Sequence, residues 1–273
     1  MRWLIKFAPV LNSLMEFFVR MKIIVAIKQV PDRDAPVRID TSGKWIEESG
    51  LQFAMNEPDA YALEEALRLK EAQGGEVIVL SAGPERVGTT IREALAKGAD
   101  RAIHITADDL GSRDALGVAK LIAEAIKPES PDLILTGLQS EDLGLGQTGV
   151  ILAELLNLPH ASLILHVEAT GSSLKVKREL EAGWFQEIEL PTPAVLTIQS
   201  GGNKLRYATL MGIKKAKTKE LRAISATPAA APTVSLEQIA LPSKQRSTQI
   251  LPGSAKEAAA ALVEKLKFEV RVI

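Results

Sequence analysis

The chain contains no cysteine, which removes disulfides, thiolate nucleophiles and cysteine-ligated metals. Its three histidines, His104, His160 and His166, stand singly on or beside apolar runs. None has a second ligand at metal spacing, so they read as core or surface residues and no metal site is expected. Excess charge is missing too: 33 basic and 34 acidic residues leave a net charge of -1, and nothing electrostatic calls for nucleic acid or an anionic membrane. No serine occupies a nucleophile elbow and no carboxylate pair is placed for acid–base work, so no catalytic residues are assigned. There is no internal repeat and no heptad run, which excludes solenoids and coiled coils. The lack of cysteine fits a reducing cytoplasm, the expected location.

A long apolar run is absent as well. The opening MRWLIKFAPVLNSLMEFFVR is apolar, but Lys6, Pro9, Asn12 and Glu16 interrupt it short of the ~20 residues a membrane helix needs. No small-residue cleavage site follows it. The domain is expected to begin at Met21, with residues 1–20 an extension or start-site artefact; an interfacial amphipathic anchor is the rival reading, and stable membrane insertion is not expected.

What is present is 46% hydrophobic residues with 25% charged in 273 residues, enough for one full α/β core plus an appendage. Continuous β-branched runs predict buried strands at Ile23–Ile27, Val77–Ser81, Ala102–Thr106, Leu133–Thr136 and Ala194–Ile198. Between them, apolar spacing of three and four predicts helices over Asp59–Ala72, Val87–Lys97 and Arg113–Ile126. The alternation predicts a doubly wound, mostly parallel, Rossmann-like α/β sheet. Residues 31–52 read as a hairpin excursion around Thr41-Ser42-Gly43, and 163–189 as antiparallel strands turning at Gly171-Ser172 and Ala182-Gly183. The domain is expected to end at Leu221. Beyond it, 222–273 is a Pro/Ala/Ser-rich arm carrying one helix, Ala255–Leu266, which cannot form a core alone and needs a partner surface.

Two loops carry candidate chemistry. Gly144, Gly146 and Gly149 spell GxGxxG before an apolar helix. In a dinucleotide fingerprint the first glycine sits at the strand end of the first β–α unit; here it comes seven residues after Gly137, in the fourth predicted strand. The underlying physics survives: glycines let backbone approach a ligand, and free N–H groups at a helix start favour an anion, with Gln147 and Thr148 as further donors. A plain turn of Asp142, Gly144 and Gly146 with Thr148 near an N-cap fits the spacing equally. The second loop, GPERVGTT, resembles a Walker loop but has Thr89 where lysine is required, which argues against triphosphate hydrolysis. Small residues end the neighbouring strands at Ala26, Ala82 and Gly137, leaving space for a flat ring. In MNEPDAYALEEA, Asn56 reads as an N-cap or as a polar contact to a base or ribose, beside Pro58 and Asp59.

The segments VAIKQVPD, MNEPDAYALEEALRLKE, GPE followed by IREALAKGADRAIHI, VKRELEAGWFQEIELPTPAVLT and RYATLMGIKKAKTKEL occur in the order found in the β subunit of electron transfer flavoprotein. Over residues 21–221 the chain resembles that family. The resemblance implies an electron-carrier subunit, not an enzyme, paired with an α subunit that carries the redox-active FAD. It implies AMP held structurally in the β subunit's own cleft, with Ala26, Asn56, Glu57, Pro58, Asp59, Ala82, Gly137, Gln139, Asp142, Gly144, Gly146, Gln147 and Thr148 in the binding segments. Some relatives bifurcate electrons, oxidise NADH and hold a second FAD in place of AMP; their loop tends to read DGDTAQVG, whereas this chain has EDLGLGQTG.

RYATL corresponds to the family's docking loop, with Arg206 and Tyr207 beside Leu210 as the apolar anchor. The partners this implies are acyl-CoA or other flavin dehydrogenases of fatty acid oxidation and an electron transfer flavoprotein–quinone oxidoreductase as acceptor. Lys214, Lys215, Lys217 and Lys219 read as a solvated face that also steers acidic partners. GGNKLRY lacks the usual Asn-Glu-Pro before Arg206.

Overall fold

The computed structural model describes residues 20–242 and 248–273; all but Arg20 of the expected extension lies outside the described residues. In chain order the elements are β1 (Met21–Ala26), β2 (Gln29–Pro31), β3 (Phe53–Met55), α1 (Glu57–Gln73), β4 (Gly75–Gly83), α2 (Gly88–Lys97), β5 (Arg101–Thr106), α3 (Ala115–Ile126), β6 (Leu133–Gly137) and α4 (Thr148–Leu156). They continue with β7 (His160–Thr170), β8 (Ser173–Glu179), β9 (Phe185–Pro191), β10 (Ala194–Ile198), α5 (Leu210–Ala216), β11 (Leu221–Ser225) and α6 (Ala255–Glu264). Among the described residues, nine strands form one sheet in the order β11-β5-β4-β1-β6-β10-β7-β8-β9.

The strands from β11 to β7 run parallel, and β8 and β9 add antiparallel at one edge. This is the expected α/β architecture. Alternate side chains of the central strands enter two cores, one per face. Ile23, Val25, Val77, Val79, Leu133 and Leu135 meet α1 and α2, while Ile24, Ile78, Leu80, Ile103 and Ile134 meet α3 and α4. Covering both faces is why these strands are written as unbroken apolar runs. Each fully buried Ile or Leu contributes roughly 1.5–3 kcal/mol of transfer free energy.

From β1 the chain steps outward to β4 and β5, then returns to lay β6 on the other side of β1. The connections reverse direction at β1 and β6, and at such a point the loops beyond the strand ends diverge and leave a crevice.

Both excursions take the expected form. The first turns at Asp40, whose carboxylate accepts from the Ser42 amide at 2.9 Å and its hydroxyl at 2.6 Å, with Ile39 bridging Ile46 and β2 pairing β3 at its base. The second is the β7–β8–β9 meander, and its first strand, β7, also pairs parallel with β10.

The sheet does not stop at Leu221. Residues 221–225 form β11, which pairs with β5 from Ala102 to Thr106. The arm then stays attached through Asp114: one carboxylate oxygen caps α3 at the Gly117 amide, 2.8 Å, and the other accepts from the Thr233 amide at 2.7 Å and its hydroxyl at 2.6 Å. These donors hold the Asp114 carboxyl well below the usual carboxylate range. Farther out, α6 opens on a complete capping box of Ser254 and Glu257 yet buries none of its residues. Its apolar stripe, Leu262 and Val263, is exposed among the described residues.

Candidate functional site

The crevice is built by α1 as much as by the strands around it. Helix α1 starts after Asn56 with Pro58 in its first turn and Glu57 and Asp59 at its positive end. The Asn56 side chain caps nothing in its own helix. Its Nδ2 donates to the Gln139 carbonyl at 3.0 Å and its Oδ1 accepts from the Glu141 amide at 3.0 Å. Buried at 1% exposure, Asn56 is a staple for the loop after β6 and not the side-chain cap of its own helix.

Asp59 is buried likewise. Its Oδ2 accepts from the Lys28 amide at 2.7 Å and its Oδ1 from the Gly137 amide at 2.8 Å. One carboxylate thereby ties the chain leaving β1 to the end of β6. Burial pushes the Asp59 carboxyl up to about 7, against the pull of those two amides and of Asn56. Gly137 is obligatory here, because a Cβ would lie 2.3 Å from Asp59 Oδ1 and 2.8 Å from the Asp59 nitrogen.

The loop from Leu138 to Gln147 forms the far wall. Lys28 Nζ crosses to Asp142 Oδ1 at 2.7 Å, and Arg33 joins Glu57 at 2.5 Å to Glu141 at 2.6 Å on the exposed rim. Asp142 Oδ1 also accepts from the Leu143 amide at 2.7 Å, and the Gly144 amide donates to the Ser140 carbonyl at 2.8 Å. Gly144 and Gly146 both take φ +63°, the left-handed region in which a side chain is strained. They turn the chain into α4, whose N-cap Gln147 makes no side-chain cap bond.

The first-turn amides of α4 therefore carry the helix's positive end without a side-chain acceptor. Gly149 seats that turn on the sheet, since a Cβ there would lie 2.5 Å from Thr197 Cγ2 and 2.6 Å from Thr136 Oγ1. The third glycine of the fingerprint thus serves helix-to-strand packing.

The fold gathers the expected residues at one place: Ala26 and Ala82 at the ends of β1 and β4, Gly137 at the end of β6, residues 56–59 behind them, and Gln139 to Thr148 across the mouth. Their tasks divide. Asn56 and Asp59 brace the crevice, Glu57 and Asp142 are paired, and Gln139 and Gln147 stay exposed. Lys28, Ser140 and Glu141 belong to the same network and carry no local motif that marks them. The Walker-like loop is occupied internally, with Gln29 Nε2 donating to Thr89 Oγ1 at 3.2 Å and Thr90 Oγ1 at 2.8 Å. No group of metal-ligating residues occurs among the described residues, and none of their helices is long and apolar enough to cross a membrane.

The expected docking loop divides in the same way. Arg206 does not face outward. Its Nε and Nη2 grip Glu64 at 2.8 and 2.9 Å, and its Nη1 reaches Glu71 at 2.5 Å, so both pairs raise its pKa and fasten the loop to α1. Tyr207 is 91% and Leu210 82% exposed. Helix α5 is seated by Ala216, which is buried, and by Gly212, whose added Cβ would lie 2.2 Å from the Ala96 carbonyl. Leu210, Met211 and Ile213 consequently face solvent. Lys214, Lys215 and Lys217 are exposed as expected. Lys219 is not, for its Nζ donates to the Leu95 carbonyl at 3.0 Å and to that of Ala99.

Fold and crevice together define a doubly wound, Rossmann-like α/β protein with a glycine-turned helix start at its switch point. A model of the electron transfer flavoprotein domain matches residues 44–229. The electron transfer flavoprotein β subunit of Methylophilus methylotrophus is 39% identical over 257 residues, covering 89% of this chain and 97% of that protein. The corresponding subunit of Bradyrhizobium diazoefficiens is 41% identical over 202 residues, 74% of this chain and 80% of that protein. That of Bacillus subtilis is 34% identical over 260 residues, 93% and 100%. The chain belongs to the electron transfer flavoprotein β-subunit family, and its role is in electron transfer.

Proposed function

We propose that this chain pairs with an α subunit to form a heterodimeric electron transfer flavoprotein, holding AMP as a structural ligand while electrons pass through the α subunit's FAD. The observation that carries the AMP reading is the start of α4: a helix of nine residues whose first turn has no side-chain cap, reached through two left-handed glycines and placed at the switch point between β1 and β6. Those amides suit a phosphate monoester, and the small residues Ala26 and Ala82 leave room for an adenine ring. FAD, when bound in the partner, supplies the redox chemistry. The residues of this chain bind, orient and support, and none is assigned to a chemical step.

The arm supports the heterodimer reading, because α6 and the tether before it present apolar surface that no other described residue covers. A second FAD in place of AMP, with NADH oxidation, is the rival occupancy. The ligands released by the co-purified heterodimer decide between the two.

Dehydrogenases are proposed to dock at Leu210, with quinone-linked oxidation downstream. Exposed apolar residues flanked by lysines make a small anchor with a steering rim. Leu210→Glu is expected to leave assembly with the α subunit intact and to raise the KM for the heterodimer as electron acceptor of an acyl-CoA dehydrogenase at least tenfold. A KM within twofold of wild type would place docking elsewhere.

A further inference from the structure

Behind the crevice lies a buried carboxylate that ties its two walls together. The parallel ladder between β1 and β6 ends at the pair Ala26 and Thr136. One residue beyond, the two chains part, and the next link between them is Asp59, taking Lys28 N on one oxygen and Gly137 N on the other. An ionised carboxylate accepts both bonds in its own plane. A protonated one carries an O–H on one of those oxygens, a neutral and poorer acceptor whose own proton competes for the space of an N–H, so one of the two links is weakened. We propose that Asp59 is the positioning residue of the crevice: its ionised carboxylate holds the ends of β1 and β6 at the spacing a nucleotide requires, and loss of that charge releases the nucleotide. This rests on the AMP reading above and adds to it a residue role and a pH response.

The surroundings set the sign. Burial pushes this carboxyl up to about 7, and acidification through that range weakens one of its two links. The charged groups near it are all paired, two cations with three carboxylates. Lys28, on the chain leaving β1, pairs with Asp142 of the loop; Glu57 of α1 and Glu141 of the loop share Arg33. The neighbouring strand β4 contributes Ser81, whose hydroxyl donates to the Ile27 carbonyl at 2.7 Å and does not titrate. A bound phosphate lies against the positive end of α4, which offsets its charge at Asp59. Hydrogen-bond geometry, not repulsion, therefore fixes the direction: the nucleotide leaves faster as the pH falls.

The test uses the assembled heterodimer loaded with AMP or with adenosine 5′-sulfate, whose charge is constant where the phosphate of AMP titrates near 6. Dissociation of each probe is followed from pH 8.5 to pH 6. Wild type is expected to release both at least tenfold faster at the acid end, with a midpoint near neutrality. Asp59→Asn, neutral at every pH, is expected to release both quickly across the whole range with a flat profile. If that variant does not assemble, the wild-type profile with the sulfate probe decides. A wild type that holds both probes with a flat profile, or releases them faster at high pH, overturns the role of Asp59 alone. A wild type that holds neither at any pH overturns the nucleotide reading, and this one with it.

Discussion

Gly137→Ala is expected to cost the assembled protein about 3 kcal/mol, seen as a drop in Tm of roughly 6–12 °C for a chain of this size. The added methyl would meet backbone and a hydrogen-bonded carboxylate, 2.3 Å from Asp59 Oδ1 and 2.8 Å from both the Asp59 nitrogen and the Pro58 carbonyl carbon. None of these is the free end of a flexible side chain. Relief requires the first turn of α1 to back away from β6, which stretches the bonds from Lys28 N and Gly137 N to Asp59. Overpacking and a strained buried acceptor then add. Gly88→Ala is the control, since a Cβ there has nothing within 4 Å and should change stability by less than about 0.5 kcal/mol. Calorimetry on the two variants checks the pair, and equal melting temperatures would mean that α1 does not press on β6 as described.

The second large effect is expected on binding. In Gly146→Val a β-branched residue is forced to φ +63°, at a cost of roughly 1–3 kcal/mol if the backbone holds. The nearest atoms to its Cβ are the Leu138 carbonyl at 3.7 Å and the Gln139 side chain at 3.9 Å, so there is room for the fold to survive. The strain is relieved instead by swinging the peptide that leads into Gln147, and this misaims the first amides of α4. Retained adenine nucleotide is expected to fall below one-tenth of the wild-type content while flavin per heterodimer is unchanged, the factor of ten corresponding to about 1.4 kcal/mol. Full nucleotide content in this variant would remove the glycine turn from the binding site.

How much of this was legible in the sequence follows from where each residue's partners lie. Strands β1, β4, β5, β6 and β10 are covered on both faces, so they are written as apolar runs. In contrast β11, at the sheet edge with Arg222, Ala223 and Ser225 exposed, offers no such run and looks like the start of the arm. Helix α4 was legible from its glycines and apolar turn, and its N-cap residue makes no side-chain cap bond. The double task of Asn56 was not. Its partners are 83 and 85 residues away, and local spacing shows only an asparagine before a helix. Arg206 looked like part of an exposed motif for the same reason: Glu64 and Glu71 lie 142 and 135 residues upstream. Their separation of seven places both acids on one face of α1, and that was the available signal for a receptor of one guanidinium. Lys28 gave no local sign of its pairing with Asp142.

The central claim is that the amides opening α4 hold a mononucleotide and that this chain thereby supports a redox centre carried by another subunit. Mass and absorbance analysis of the ligands released from the co-purified heterodimer tests it most directly. One FAD and one AMP per pair of subunits is the predicted result. Two flavins, a nicotinamide nucleotide, or flavin with no mononucleotide would contradict it.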